Sequence, residues 1–219
     1  NSTSANTVIY GTFDIAANAP AQFDSVIILT RISNVGSGSH YQLLDMMGFG
    51  YAAYERAKDY SGYNNTGEVV GAVWNSTGGQ NGRGAYEFGS SRYLVIPANA
   101  TMNSFTNKIT VSAWVKQTSL SGYGVIAAQR AGCAATGNWQ FYSDANSDGF
   151  YFNFWDTGST ARECQSTTVL PLNQWAHVAA TYDGTNISLY VNGTLVYNCS
   201  FSQSMRAASI ATYIGDESC

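Results

Sequence analysis

The sequence predicts an all-β fold, a two-sheet antiparallel jelly-roll sandwich. Three observations lead there. Apolar and polar residues alternate with period two along short runs such as Ile109-Thr110-Val111-Ser112-Ala113-Trp114-Val115. That pattern puts Ile109, Val111, Ala113 and Val115 on one face and Trp114 on the other. Turn dipeptides, above all Asp183-Gly184 and Asn192-Gly193, separate consecutive runs. Finally, 219 residues with 45% hydrophobic and 14% aromatic content hold enough apolar material for a complete core. A length of this kind is commonly filled by one all-β domain.

Two short β-rich runs open the chain, Thr7-Val8-Ile9-Tyr10 and Val26-Ile27-Ile28-Leu29, within an N-terminal segment covering residues 1–33. Residues 34–42 follow with linker composition, as in Gly36-Ser37-Gly38-Ser39. The sandwich itself is expected over residues 43–219. At its start, Leu44, Met47, Tyr51 and Tyr54 stand near helical spacing, although Gly48 and Gly50 each weaken a helix by about 1 kcal/mol. Beyond Lys108 the pattern is strand, turn, strand. Asn138-Trp139-Gln140-Phe141-Tyr142 and Phe150-Tyr151-Phe152-Asn153-Phe154-Trp155 form a predicted hairpin across a polar turn. Trp175 to Tyr182 is another strand, and Asp183-Gly184 turns the chain into Ile187-Ser188-Leu189-Tyr190-Val191. Asn192-Gly193 then predicts a two-residue type I′ hairpin that pairs Thr194-Leu195-Val196-Tyr197 back. A helical turn is expected between Gln203 and Thr212.

Charged residues make up only 11% of the chain, against roughly 25% in an ordinary soluble domain. Another hydrophilic cover is therefore expected. Asn-x-Ser/Thr triplets at Asn1, Asn64, Asn75, Asn99, Asn186, Asn192 and Asn198 are candidate glycosylation sites of an exported protein. The four cysteines, Cys133, Cys164, Cys199 and Cys219, lack metal-ligand spacing and predict disulfides in an oxidising compartment. Cys133 and Cys164, and likewise Cys199 and Cys219, follow successive strands and should fall at one end of a meander. The expected pairs are thus Cys133–Cys164 and Cys199–Cys219. A net charge of −4 without a basic stripe argues against nucleic acid as a partner. No apolar run approaches the ~20 residues of a membrane-spanning helix. The lack of an initiating methionine and of a signal peptide is what a processed chain or a fragment would show.

Several blocks carry a resemblance. Asp59-Tyr60-Ser61-Gly62 is followed by Asn64-Asn65-Thr66-Gly67 and Gly84-Ala85-Tyr86-Glu87-Phe88. Thr110-Val111-Ser112-Ala113-Trp114-Val115-Lys116 comes next, then Trp175-Ala176-His177-Val178-Ala179 through Tyr182-Asp183-Gly184 to Leu189-Tyr190-Val191-Asn192-Gly193. In this order the chain resembles the laminin-G-like, pentraxin-related modules of the concanavalin A-like lectin/glucanase superfamily. Such modules continue past an Ile-Gly strand, here Ile214-Gly215, into a closing strand. The segment Asp24-x-Val26-x-Ile28 with Arg31 and Ser33 resembles that strand. The resemblance thus implies a sandwich closed by its N-terminal segment, in a permuted order within one chain or by donation between subunits. It also implies a candidate structural calcium held by Asp59 and Asp24, since hard oxygen ligands suit that ion.

Catalytic chemistry is not apparent. Glycoside hydrolysis needs two carboxyl groups set about 5–9 Å apart, whereas Glu55, Glu87 and Glu163 stand singly in the sequence. His177 lies inside an alternating strand without an identified carboxylate or hydroxyl partner. Asp144, Asn146 and Asp148 of Asp144-Ala145-Asn146-Ser147-Asp148-Gly149 match the first half of a calcium loop. The position of its bidentate glutamate is Trp155, so a polar hairpin turn is the stronger expectation. Trp114 and Trp175 are read as packed, while Trp139 and Trp155, with Tyr123 and Tyr142, flank turns and are candidate sugar-stacking platforms. The function expected is a non-catalytic, glycosylated subunit outside the cell or on its surface, structural or adhesive. It would assemble with copies of itself head-to-tail, by strand complementation, into a surface structure or filament. The alternative is a carbohydrate-binding lectin module, with or without dependence on calcium, and with glycans as partners.

Overall fold

The computed structural model describes residues 27–35, 38–47, 56–82, 84–119, 123–130, 137–144 and 149–216, the first two stretches as strand backbone. The strands are β1 (Ile27–Val35), β2 (Gly38–Met47), β3 (Arg56–Asp59), β4 (Gly67–Val70), β5 (Val73–Asn75), β6 (Ala85–Glu87), β7 (Tyr93–Ile96) and β8 (Ile109–Lys116). They continue as β9 (Tyr123–Arg130), β10 (Gly137–Asp144), β11 (Gly149–Trp155), β12 (Ala161–Ser166), β13 (Trp175–Tyr182), β14 (Asn186–Val191), β15 (Thr194–Ser200) and β16 (Thr212–Ile214). No helix occurs among the described residues.

Hydrogen bonding links the strands in the order β12-β11-β10-β9-β16-β7-β4-β3-β2-β1-β8-β13-β14-β15, with β5–β6 a separate ribbon. The order folds over on itself as an antiparallel sandwich. One sheet runs from β12 to β4, the other from β1 to β15, and β3 and β2 connect them. Alternation decides which residues face inward. Ile109, Val111 and Ala113 of β8, Ala176, Val178, Ala180 and Tyr182 of β13, and Ile187 and Leu189 of β14 are all buried. They belong to one core with Trp139, Phe141, Phe150, Phe152 and Phe154 of β10 and β11 and with Leu94 and Ile96 of β7. Each buried Val, Leu, Ile or Phe among them contributes about 1.5–3 kcal/mol through removal from water. The predicted reversal at Asn192-Gly193 is present: both residues have positive φ, 49° and 78°, and Val191 pairs with Thr194.

The structure departs from expectation in several places. Residues 34–42 lie mostly in strands, since Asn34 pairs with Ser39 and Val35 with Gly38 in the β1–β2 hairpin. Leu44 and Met47, near helical spacing in sequence, sit in β2, because pairing with β1 and β3 outweighs a helical pattern already weakened by glycine. Strand β1 also pairs with β8, from Ile27 opposite Ala113 to Thr30 opposite Thr110. Residues 1–26, with Thr7-Val8-Ile9-Tyr10 and Asp24, lie outside the described residues. Between Gln203 and Thr212 an irregular segment replaces the helical turn, held by contacts distant in sequence. The Asn138 side chain donates to Ala208 O at 2.7 Å and accepts from Ala208 N at 2.8 Å, while Met205 N donates to Thr106 O at 2.6 Å. These bonds satisfy backbone groups that a helix would pair internally.

The disulfide pairing is corrected as well. Cys164 is bonded to Cys199, not to Cys133, and Cys133 and Cys219 lie outside the described residues. The reason is topological. Cys164 is on β12 and Cys199 on β15, the two ends of the strand order, and folding the sheets face to face brings those ends together. Non-reducing peptide mapping should recover a Cys164–Cys199 peptide. For a bridge spanning 35 residues, the double variant Cys164→Ala/Cys199→Ala should lose about 2–4 kcal/mol in denaturant unfolding.

A clasp after β11 supports the same end of the sheet. Asp156 accepts a hydrogen bond from Thr160 N at 2.9 Å and two from Arg162, Nε at 3.0 Å and Nη2 at 2.7 Å. The Thr160 amide foremost, then the Arg162 guanidinium, hold its carboxyl below the usual aspartate range. A lowered folded-state pKa stabilises above the unfolded value, and the benefit is lost as pH falls through the folded one. The melting-temperature gap between the native protein and Asp156→Asn should therefore be full near neutrality and narrow below about pH 4.

Candidate functional site

The sheet from β9 to β12 is built differently from its partner. Every residue of β10 and of β11 is buried, on both faces. Cross-strand register sorts them. Trp139 opposite Phe154, and Phe141 opposite Phe152 and thence Cys164, face the core. The outward set is Gln140 opposite Asn153, Asn153 opposite Glu163, and Tyr142 opposite Tyr151. On β9, Ala128 stands opposite Gln140 and Val125 opposite Tyr142, and Ile126 between them is the extra residue of a bulge. Small Ala128 and Val125 thus lie beside the large side chains of β10.

This outward set has a floor and a rim. The floor is a stack of Tyr142 on Tyr151, with ring centroids 4.9 Å apart and planes 6° from parallel. Gln140 and Asn153 lie beside it, both buried. The rim is Tyr123, 70% exposed, whose ring approaches Tyr142 at 5.8 Å, together with exposed Glu163. The Tyr142 hydroxyl donates to Glu163 Oε2 at 2.8 Å. Burial, reinforced by that bond and the glutamate charge, pushes the Tyr142 phenol far up. It stays protonated at any working pH and acts as a fixed donor that orients Glu163. Asn153 Oδ1 is buried without a hydrogen-bond partner, an acceptor whose desolvation nothing in the protein offsets.

The two tryptophans expected at this surface are placed otherwise. Trp139 is fully buried in the core, stacked on Phe152 at 6.4 Å. Trp155 faces outward but is buried, with the Arg130 guanidinium 5.8 Å from its ring centroid. Neither is a free platform, because β10 and β11 carry aromatic residues at both parities and register alone sends Trp139 inside. Conversely Trp114, read as packed, is 39% exposed and meets His177 edge-on at 5.4 Å. Trp175 is half-buried beneath Lys116 Nζ, 5.6 Å from its ring centroid. Burial lowers the His177 pKa. Its backbone is locked to the turn by His177 N donating to Asn192 Oδ1 and Asn192 N donating to His177 O.

Asp59 serves its own loop. Its Oδ1 accepts from Ser61 N at 2.7 Å, and its Oδ2 accepts from Ser61 Oγ at 2.8 Å and from Asn65 N at 2.6 Å. These bonds order the loop around its carboxylate, and among the described residues no three His, Cys, Asp or Glu side chains converge on a metal position. Asp24, Asn146 and Asp148 lie outside the described residues, and Asp144 pairs with Gly149 to close the β10–β11 hairpin. Of the sequons, Asn1 lies outside the described residues. Asn64, Asn192 and Asn198 are exposed. Asn99 is committed internally: its Nδ2 donates to Asn65 Oδ1 and its Oδ1 accepts from Met102 N. Asn75 donates to Glu87 Oε1 at 2.6 Å, and Asn186 accepts from Ser200 Oγ at 2.9 Å.

Comparison with known proteins follows the same line. Among solved structures, the chain is similar to domain 4 of AbnA, a GH43 extracellular arabinanase from Geobacillus stearothermophilus, in complex with arabinotriose. That likeness has a TM-score of 0.55 at 18% identity, over 73% of this chain and 78% of that one. It is also similar to the binding domain of botulinum neurotoxin DC in complex with SialylT, with a TM-score of 0.53 at 15% identity, over 89% of this chain and 44% of that one. The binding domain of Paraclostridial Mosquitocidal Protein 1 gives 0.52 at 13% identity, over 89% and 48%. The chain thus spans less than half the length of either toxin domain. No curated protein sequence matches it significantly. The family model of the concanavalin A-like lectin/glucanases superfamily matches residues 88–218, more than half of the chain. With the antiparallel sandwich described above, the chain belongs to that superfamily.

Proposed function

We propose that this domain is a non-catalytic carbohydrate-binding sandwich of an extracellular protein, with its ligand on the outward face of β9–β12. The observation that carries the reading is the floor-and-rim arrangement there. Exposed Tyr123 presents apolar ring surface, the stacked and largely buried Tyr142 and Tyr151 back it, and Asn153, Gln140 and Glu163 supply polar groups beside it. Sugars present apolar C–H faces and many hydroxyl groups, and sites for such ligands combine aromatic surface with a few placed polar groups. Arabinotriose bound to a domain of the same fold is in keeping with this reading. The role proposed is binding, with Glu163 held in place by the Tyr142 hydroxyl as a hydrogen-bond acceptor. Glycans on exposed Asn64, Asn192 and Asn198 would supply the hydrophilic cover that the sparse charge leaves wanting. No step of the reading runs through calcium.

Binding of neutral oligosaccharides, measured by titration calorimetry on the whole chain, tests it. Tyr123→Ala should weaken binding at least about fivefold, roughly 1 kcal/mol, while the melting temperature stays unchanged because Tyr123 is 70% exposed. Absence of binding by the native protein, or binding indifferent to that substitution, would refute the site.

A second reading, assembly by strand complementation, is favoured by one observation. Strand β1 is hydrogen-bonded on both sides, to β2 and to β8. The same strand lent by a neighbouring copy would join subunits head-to-tail without closing a ring. Sedimentation across a dilution series tests it. Assemblies that dissociate on dilution, and are lost when residues 1–47 are deleted, are the outcome this reading requires. A monomer at every concentration ends it.

A further inference from the structure

Charge is placed unevenly around the tyrosine floor. Strands β9 to β12 carry two carboxylates, Asp144 and Glu163, and two guanidinium groups, Arg130 and Arg162. Both cations are engaged elsewhere: Arg162 grips Asp156 through Nε and Nη2, and Arg130 lies over the Trp155 ring. Both carboxylates border the tyrosines, although Asp144 is buried and engaged in interactions of its own, which leaves Glu163 as the exposed one. Asp144 stands opposite Tyr123, and Glu163 accepts the Tyr142 hydroxyl. Between Gln140 and Glu163 in register lies Asn153, whose buried Oδ1 has no hydrogen-bond partner. An acceptor in that state is satisfied only by a group that donates, whether of a ligand or of a water. The negative face of the exposed Tyr123 ring adds to the same bias, attracting cationic and C–H groups and disfavouring anions.

We infer that this face selects glycans that are uncharged or bear amino groups, and rejects those bearing carboxylate, sulfate or sialic acid groups. The inference rests on the carbohydrate-binding reading above and adds the class of sugar. Hydroxyl or ammonium groups of the ligand donate to Asn153 Oδ1 and to Glu163, whose Oε1 has no protein partner among the described residues. A carboxylate in the same place donates nothing and meets Glu163 at short range, where partial exclusion of water keeps the repulsion from being screened away. Specificity then comes from a repulsive element as much as from an attractive one.

The whole chain is titrated with three probes of equal length: cellotetraose, fully deacetylated chitotetraose and tetragalacturonate. The two non-acidic probes should bind, the amino sugar at least as tightly as the neutral one, with the acidic probe at least roughly tenfold weaker. Glu163→Gln, checked for an unchanged melting temperature, should lower affinity for the amino sugar and narrow the gap to the acidic one. Tetragalacturonate binding as tightly as cellotetraose overturns the charge selection while leaving the carbohydrate reading intact. No binding by any of the three overturns both. Selectivity unaltered in folded Glu163→Gln also overturns the inference, because it removes the carboxylate as its source.

Discussion

The register of the β10–β11 hairpin is the constraint on which the rest depends. With Trp139 opposite Phe154 and Phe141 opposite Phe152, one row of aromatic rings enters the core and another, Tyr142 and Tyr151, faces out with Gln140 and Asn153. Because side chains alternate strictly, a slip of one residue would exchange the two rows. Gln140 and Asn153 would then enter the core unpaired, each amide costing about 1–3 kcal/mol. The phenylalanines of β11 would meanwhile leave the core, Phe154 losing its contact with Tyr182. The core and the candidate binding face are two sides of one pairing, and neither can be shifted without the other.

Closure of the sandwich depends on how its ends meet. Strand β12 ends one sheet and β15 the other, and Cys164–Cys199 joins them covalently. The same region is reinforced by the irregular chain after β15. Tyr182 donates its hydroxyl to Gln203 O at 2.6 Å, Met205 is buried, and Arg206 N donates to Trp155 O. A segment with no regular structure is thus fixed by bonds that reach across the fold, and the strands bearing Glu163 and Asn153 have a rigid flank. Rigid elements hold a recognition site more accurately than loops do, since less conformational freedom is lost on binding.

The two outward faces differ in a way that bears on function. On the sheet of β8, β13 and β14, outward residues are only partly covered and include Trp114, His177 and Tyr190, with the Asn192 turn at the edge. On β10 and β11 the outward residues are as buried as the core, yet polar and aromatic rather than aliphatic. Burial of polar groups is costly unless they are matched, and Asn153 shows a match left unmade. A structural role alone would be served more cheaply by aliphatic side chains at those positions, which is why this face carries the functional reading.

The sequence alone determined the fold class, the two faces of β8, the tight turn at Asn192-Gly193 and the superfamily. All are local matters of alternation, turn conformation and ordered motif. It did not determine which tryptophans are buried. Trp139 lies in a strand with aromatic residues at both parities, so period two marks the strand without choosing its inner side, and Trp114 is exposed although its strand neighbours are core. Nor did it determine the Cys164–Cys199 bond, the pairing of β1 with β2, or the cluster of Tyr123, Tyr142, Tyr151 and Glu163. Those residues come from four strands, and only the register between strands puts them side by side. A weak signal was present, since Tyr142 and Tyr151 flank the same predicted turn, but pairing across β9 and β12 has no local signature. Such pairings are set by which edges the folded sheets bring together, a property of the tertiary structure and not of any stretch of chain.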